Sequence, residues 1–474
     1  MTHYDLVIVG AGSGNMIAGH DFSHLRVAIV DRGPFGGTCL NRGCIPSKMY
    51  LHTAEVAHSA ATGARFDLAT SYDGADWPAI RERIMGRVDE NAESGREGQS
   101  EKDWVDVVVG EAHFTGPRQL VVHLADGGET ELTADQVVIA TGTRPTIPPI
   151  DGLDDLSESD RRRVHTSDSV MRLSDLPASM AVIGGGYVGS ELAHVFASLG
   201  TAVTQVESED VLLASQDREV AEVFTREVAE RYDVRCGAKV VRVEPAEGDG
   251  LLLTLDDDST LTVECLLLAV GRRANSDVLA VEKAGVDTYD DGRVKVDDQQ
   301  RTSAEGVFAL GDASTGHPLK HVANHEARVV RHNLLNPDDL QSVDHRFVPQ
   351  AVFASPQVAS VGLTEAAARD EGIDLAVGRT EYADTAHGWA YEEDDRNGPA
   401  TGHVVKLLAD RATGLLVGAH LVGPQASVLI QPLLTAMAHD LPVKGLARSQ
   451  YWIHPALTEV VEGALLDLER ALRH

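Results

Sequence analysis

The sequence predicts an α/β protein in which one doubly wound unit is inserted into another and a differently patterned domain follows. Three observations carry this reading. A β-branched run, a three-glycine turn and a helix-favouring stretch occur at Leu6–Ala18 (LVIVGAGSGNMIA) and again at Ala181–Ala193 (AVIGGGYVGSELA). Each is followed by a second strand that ends in an acid, Val27–Asp31 and Val203–Glu207. From about Val348 onward, strand and helix patterns alternate with no glycine fingerprint.

The chain has 474 residues, room for about three domains of roughly 150 residues each. Crossing points are predicted at Pro145–Gly152 and Arg272–Ser276, where the chain turns between apolar runs. The predicted boundaries are therefore 1–150 and 276–347 for the outer unit, 151–275 for the inserted one and 348–474 for the last domain. A hydrophobic fraction of 43% builds ordinary cores. No apolar run is long enough to span a bilayer, and the first strand begins almost at Met1, so a cytoplasmic protein is expected. Acids number 73 against 41 basic residues, a formal charge of −32. Such a surface repels nucleic acid and anionic membranes, so neither is expected as a partner. Lysine stands at only eight positions, and acids cluster at Asp256–Asp258 and Glu392–Asp395. This composition predicts a protein adapted to concentrated salt, where like charges are screened. Tyr391–Gly402 reads as a polar, solvated loop.

Gly10, Gly12 and Gly14 open the first turn, with Asn15 where the strict G-x-G-x-x-G pattern has its last glycine. Such a turn lets the backbone approach a pyrophosphate, and Asp31 is placed to accept from a ribose hydroxyl. The second turn is strict, with Gly184, Gly186 and Gly189, and Glu207 in the acid position. One such turn is a weak signal; two in strand–turn–helix context point to two Rossmann-like dinucleotide-binding domains. The stretch GGTCLNRGCIPSK, Gly36–Lys48, holds Cys39 and Cys44. Their spacing suits a disulfide across a distorted helical turn, and a helix N-terminus favours a thiolate. Buried thiols or half a zinc site are the competing readings, but no further Cys or His lies at short ligand spacing.

This stretch resembles the redox signature of the class I pyridine nucleotide–disulfide oxidoreductases, a family that includes glutathione, mycothione and mercuric reductases and dihydrolipoyl dehydrogenase. Ala140-Thr141-Gly142, Gly306–Asp312 and Tyr451–Glu459 resemble further motifs of the same family. The resemblance implies an FAD domain, an NAD(P)H domain and a C-terminal α+β dimerisation domain. It assigns Gly10, Gly12, Gly14, Asp31, Thr38, Lys48, Ala112, Gly142 and Asp312 to FAD. It assigns Gly184, Gly186, Tyr187, Gly189, Glu207, Arg218 and Arg272 to the nicotinamide cofactor. It also makes Cys44 the thiol nearer the flavin and Cys39 the interchange thiol. His454 of the partner subunit would be the acid, oriented by Glu459, in a homodimer with shared sites; a capping or core histidine is the bland alternative. Lys48 would pair with Glu191 beside the flavin, and Tyr187 would cover the nicotinamide pocket.

The expected substrate is a small-molecule disulfide. Glutathione reductases carry paired arginines on the first helix where this chain has His20-Asp21, and mercuric reductases add cysteines at the C-terminus, where none follows Cys265. Trp452 and Ile453 stand where dihydrolipoyl dehydrogenases carry small residues. Val322–Arg328 and Gln450–Leu457 look most like mycothione reductase. The acidic, lysine-poor composition points instead to the haloarchaeal reductases of bis-γ-glutamylcystine. NADPH is expected on the family's habits, although Glu207 by itself reads as NADH. A dihydrolipoyl dehydrogenase using NAD and a non-catalytic FAD-binding protein are the remaining alternatives.

Overall fold

In the computed structural model, which describes residues 1–391 and 402–474, Leu6–Val9 form the middle of a parallel sheet. This strand, Thr2–Val9 (β1), is flanked by Val27–Asp31 (β2) and Glu129–Ile139 (β5), with Val7 opposite Ala28 on one side and Val137 on the other. Its side chains alternate between two cores. Leu6 and Ile8 pack with Ile17, Phe22 and Val330, whereas Val7 and Val9 pack with Leu279, Val281 and Val294. A sheet covered on both faces is why this strand reads as an unbroken apolar run. Val105–Gly116 (β3) pairs with β2 along its first half, then turns through Gln119–Leu124 (β4) back to β5. Residues 307–309 return to this sheet beside β5.

A second parallel sheet holds strands 233–236, 202–207, 179–183, 265–268 and 164–166 in that order. The two crossings between the sheets pair as an antiparallel ribbon, Thr143–Pro145 against Arg272–Ala274. The last region is a five-stranded antiparallel sheet covered by the helix Thr458–Ala471. Gly378 allows that helix to lie close, since a Cβ there would meet the Leu468 backbone at 2.4 Å. The Glu392–Asp395 acid run, and all but the ends of the loop expected at Tyr391–Gly402, lie outside the described residues.

The two glycine turns lead into different structures. After the second comes the full helix Tyr187–Ser198, and Gly189 permits its contact with the strand: a Cβ there would lie 2.1 Å from the Gly184 carbonyl oxygen. After the first, the helix expected from the pattern is replaced by two 3₁₀ turns, Gly14–Met16 and His20–Phe22. Gly19 interrupts the segment in an extended conformation, and Asp21 is held by Arg331, whose Nε donates to it at 3.0 Å. The substitution of Asn15 for glycine leaves no loose packing, because Gly14 makes the close approach, with Ala140 Cβ 2.7 Å from a Cβ placed there.

Candidate active site

Gly43 divides the cysteine stretch into a short helix, Gly37–Arg42 (α1), and a long one, Cys44–Thr62 (α2). Cys39 lies within α1, and Cys44 is the first residue of α2, where the helix dipole favours negative charge. Asn41 pins the turn: buried, its Nδ2 donates to the carbonyls of Phe35 and Gly37, both at 2.9 Å, and of Pro34 at 3.1 Å. All four cysteines are free thiols. Cys39 and Cys44 stand on consecutive helices either side of Gly43, and ionising one thiol disfavours ionising the other. The interaction with Cys39, helped by the nearby Lys48 ammonium, lowers the Cys44 thiol to about 7, while the same interaction pushes Cys39 up. The proton therefore stays on Cys39 and the thiolate forms on Cys44.

Lys48, one turn along α2, donates to both carboxylate oxygens of Glu191 at 2.8 and 2.7 Å. Glu191 is 4% exposed and also accepts from the Phe353 backbone N–H at 3.0 Å, while the Phe353 ring lies under the ammonium. One ion pair thus links the cysteine helix, the helix after the second glycine turn and the last domain.

Cys39, Cys44, Lys48 and Glu191 line a cavity of about 580 Å³ together with Thr38, Gly142, Asp312, Gly10, Gly12 and Asp31. Asp31 accepts from the backbone N–H groups of Ala11 (2.6 Å) and Gly33 (2.8 Å), and Asp312 from the Thr143 hydroxyl (3.2 Å). Burial nonetheless pushes both carboxyls up, so each gains from a further donor such as a sugar hydroxyl. Gly12 and Gly37 face each other so closely that a Cβ on Gly37 would sit 2.7 Å from the Gly12 Cα, leaving bare backbone along the cavity. A cavity that brings together bare glycine backbone, two half-buried acids and a dithiol fits FAD.

A second cavity, of about 800 Å³, is lined by Gly184, Gly186, Glu207, Lys239 and Val270. Tyr187, Arg272 and Asp312 line both cavities, at their junction. Tyr187 is 44% exposed, whereas Arg272 is held by Thr143 through Nε–H···Oγ1 and N–H···O contacts of 2.9 Å each. Glu207 accepts from the Gly185 N–H, the Ser208 hydroxyl (2.8 Å) and the Glu209 N–H (2.9 Å). This cavity fits the adenosine and nicotinamide ends of a second dinucleotide.

Some expected site residues are not brought to these cavities. Arg218 is taken by Asp210 (2.8 Å) and Glu222 (2.6 Å) on the surface and does not line the second cavity; the cations that do are Lys239, Arg272 and Arg293, and Lys239 follows Ala238, whose N–H donates to the Glu207 carbonyl at 3.0 Å. Ala112 faces inward across the β3–β4 pair, opposite Val122, and its side chain is core and not cavity wall. Gly14 and Gly189 serve packing and do not line the cavities. His454 and Glu459 form their dyad, Nδ1 to Oε1 at 2.9 Å, with the Ala456 N–H also donating to Glu459 at 3.3 Å. The hydrogen bond from His454 holds the Glu459 carboxyl below its ordinary range. Yet the dyad does not line the cavity of its own chain: the His454 side chain is 72% exposed and follows the exposed Tyr451 and Ile453 in sequence. Asn41, Lys239 and Lys320 were not singled out from sequence; for the lysines, their scarcity in this chain was the available signal.

Residues 4–327 match the pyridine nucleotide-disulphide oxidoreductase family, and residues 348–465 match the dimerisation domain of the same family. The chain belongs to that family: it is an FAD-dependent oxidoreductase acting on a disulfide, with NAD(P)H as electron donor, and its dimerisation domain indicates a homodimer. Within the family it is similar to mycothione reductase of Mycobacterium tuberculosis, 46% identical over 478 residues, covering 99% of this chain and 100% of that one. A dihydrolipoyl dehydrogenase of Halobacterium salinarum is 33% identical over 483 residues, covering 100% of this chain and 97% of the relative. Among solved structures, the HOCl-induced flavoprotein disulfide reductase RclA from Escherichia coli superposes with a TM-score of 0.84 at 27% identity, covering 98% of this chain and 99% of that one. No helix among the described residues is long and apolar enough to cross a membrane.

Proposed function

We propose that this oxidoreductase is a cytoplasmic, NADPH-dependent reductase of a low-molecular-weight thiol disulfide, with bis-γ-glutamylcystine as substrate. The observation that carries the reading is that Cys39 and Cys44 line the first cavity together with the Lys48–Glu191 ion pair.

Bound FAD supplies the relay by which two electrons from the nicotinamide reach the cysteine pair. Tyr187, at the junction, moves aside for the nicotinamide, and Asp31 and Asp312 accept hydroxyl hydrogen bonds that align the flavin cofactor. Lys48 holds Cys44 as the thiolate. Cys39 attacks one sulfur of the substrate, forming a mixed disulfide and expelling one thiolate, which takes a proton from His454 of the partner subunit. Cys44 then attacks Cys39, closing the protein disulfide and releasing the second thiol. The balance is NAD(P)H, one proton and one disulfide giving NAD(P)⁺ and two thiols. Exposure of His454 away from its own cysteines supports a dyad that serves the other subunit. For the nicotinamide, Lys239 offers a charge on the wall of the cavity that Glu207 also lines, which suits a 2′-phosphate, and Glu207 is already engaged by three protein donors.

A second reading, reduction of mycothione disulfide, is favoured by the 46% identity to a mycothione reductase. Steady-state rates with bis-γ-glutamylcystine, mycothione disulfide and glutathione disulfide, and with dihydrolipoamide plus NAD, separate the readings. The highest kcat/KM is expected for bis-γ-glutamylcystine at molar KCl. A higher value for mycothione disulfide would replace the substrate, and turnover only with dihydrolipoamide would replace the reaction.

A further inference from the structure

The first cavity holds a second lysine, and its position has no local explanation. Lys320 is the first residue of the helix Lys320–Leu335. A cation there opposes the helix dipole, by roughly 0.3–1 kcal/mol in typical cases. Among the described residues no carboxylate is within ion-pair distance of it, in a chain with 73 acids and only eight lysines. A residue kept against helix electrostatics, against composition and without a counter-charge marks a place where local preference yields to the site. Its ammonium is anchored: Nζ donates to the Ser13 hydroxyl at 2.9 Å, and that hydroxyl donates to Asn324 Oδ1 at 3.0 Å. Ser13 is 8% exposed, so the anchor is rigid and partly shielded from water. Both Lys320 and Ser13 line the cavity that contains Cys39.

We propose that Lys320 is a positioning residue for the interchange thiol, a fixed cation that serves Cys39 as nucleophile in the way Lys48 serves Cys44. The inference rests on the reading of Cys39 as the thiol that attacks substrate. Attack needs a Cys39 thiolate, yet the reduced pair leaves its proton there, because the Cys44 thiolate and burial both push Cys39 up. Lys320, on the wall of the same cavity and bonded to Ser13 next to the Gly12 that packs against Gly37, is the cation that opposes them. The other charged groups lining this cavity are committed elsewhere: Lys48 and Glu191 to each other, Arg42 to Asp168 at 3.2 Å, Arg32 to Glu111 at 2.6 Å, Arg144 to Asp277 at 2.6 Å, Arg272 to Thr143, Asp31 to the Ala11 and Gly33 N–H groups and Asp312 to the Thr143 hydroxyl. His321, also on the wall, has its Nε2 on the Pro349 carbonyl at 2.9 Å. Lys320 thus lowers the barrier between the resting proton arrangement and the attacking one, and stabilises Cys39 as its proton leaves.

The test is alkylation of the reduced, FAD-loaded enzyme by iodoacetamide across pH, with Cys39 and Cys44 read separately by peptide mass spectrometry. Lys320→Gln keeps a donor for Ser13 but no charge, and Lys320→Arg keeps the charge. At neutral pH the Cys39 rate is expected to fall about tenfold in Lys320→Gln, equivalent to about one pH unit in its profile, and to recover in Lys320→Arg. Ser13→Ala, which frees the ammonium, is expected to fall between them. An unchanged Cys39 profile in Lys320→Gln overturns the proposal, as does Lys320→Arg behaving like Lys320→Gln. Loss of FAD from Lys320→Gln alone would also overturn it, by making Lys320 part of the cofactor cradle. If iodoacetamide labels Cys44 in place of Cys39 in the unsubstituted enzyme, it is the assignment of the interchange thiol that fails.

Discussion

Replacing Lys48 by methionine removes the charge nearest Cys44 while keeping the length of the side chain, and the structure sets the size of the effect. Residues four apart on a helix have side chains about 6 Å from one another. A unit charge at that distance is worth about 3 kcal/mol at an effective dielectric of about 20. Two features reduce this. Glu191 lies 2.7 Å behind the ammonium and cancels much of its field, and the Lys48 side chain is 37% exposed, so water screens the rest. About 1 kcal/mol remains, somewhat less than one pH unit. The sign comes from the chemistry: a thiol is charged above its pKa, so losing a neighbouring cation raises the pKa and removes thiolate at fixed pH. Cys44, at about 7 in the intact site, should therefore titrate about 0.7 pH unit higher in Lys48→Met, its thiolate fraction at pH 7 falling from about half to about a sixth. The assay is the long-wavelength thiolate–flavin absorbance of the reduced holoenzyme, followed against pH. In the double variant Lys48→Met/Glu191→Gln, which removes both members of the pair, the shift should be smaller. An unchanged midpoint in Lys48→Met would refute the electrostatic account of Cys44, as would a midpoint near that of a free thiol in the intact enzyme.

Further expectations test other parts of the site. Mixing Cys39→Ser with His454→Ala subunits should restore about a quarter of native activity, because half the dimers are mixed and each has one intact site of two; no recovery despite demonstrated subunit exchange would place a complete site in each chain. Arg218→Gln should leave cofactor kinetics unchanged while Lys239→Gln lowers kcat/KM for NADPH about tenfold with little effect on NADH, as expected for one lost charge-assisted contact to a phosphate. A tenfold advantage for NADH in the unsubstituted enzyme would restore the plain meaning of Glu207. With a formal charge of −32, activity and Tm should rise between about 50 mM and 2 M KCl as screening shortens to a few ångströms; equal stability across that range would count against salt adaptation, and with it the choice of bis-γ-glutamylcystine.

How much of this could be read without a structure depends on the range of the interaction concerned. The glycine turns were legible because close backbone approaches permit few other residues, and the cysteine stretch because its two thiols and the dividing Gly43 lie within one local segment. The same local reasoning overreached at Leu6–Ala18. It placed a helix where Gly19, and the clasp of Asp21 by Arg331 from far along the chain, leave only 3₁₀ turns. It also chose Arg218, the nearest arginine in sequence, because it could not see Asp210 and Glu222 already in contact with it.

The order of residues alone therefore sets the chemistry on offer: two nucleotide-type turns, a thiol pair at a helix start, and a histidine with its acid five positions on. Those depend on backbone geometry and short spacing, which amino-acid types constrain directly. Which groups act together is settled only in the folded chain. Glu191 meets Lys48 across 143 residues, Tyr187 stands where two cavities join, Lys320 enters the wall of the cavity that Cys39 also lines, and His454 does not line the cavity of its own cysteines. Such neighbours are set by how sheets and helices pack, and packing is a property of the whole chain that no single segment carries.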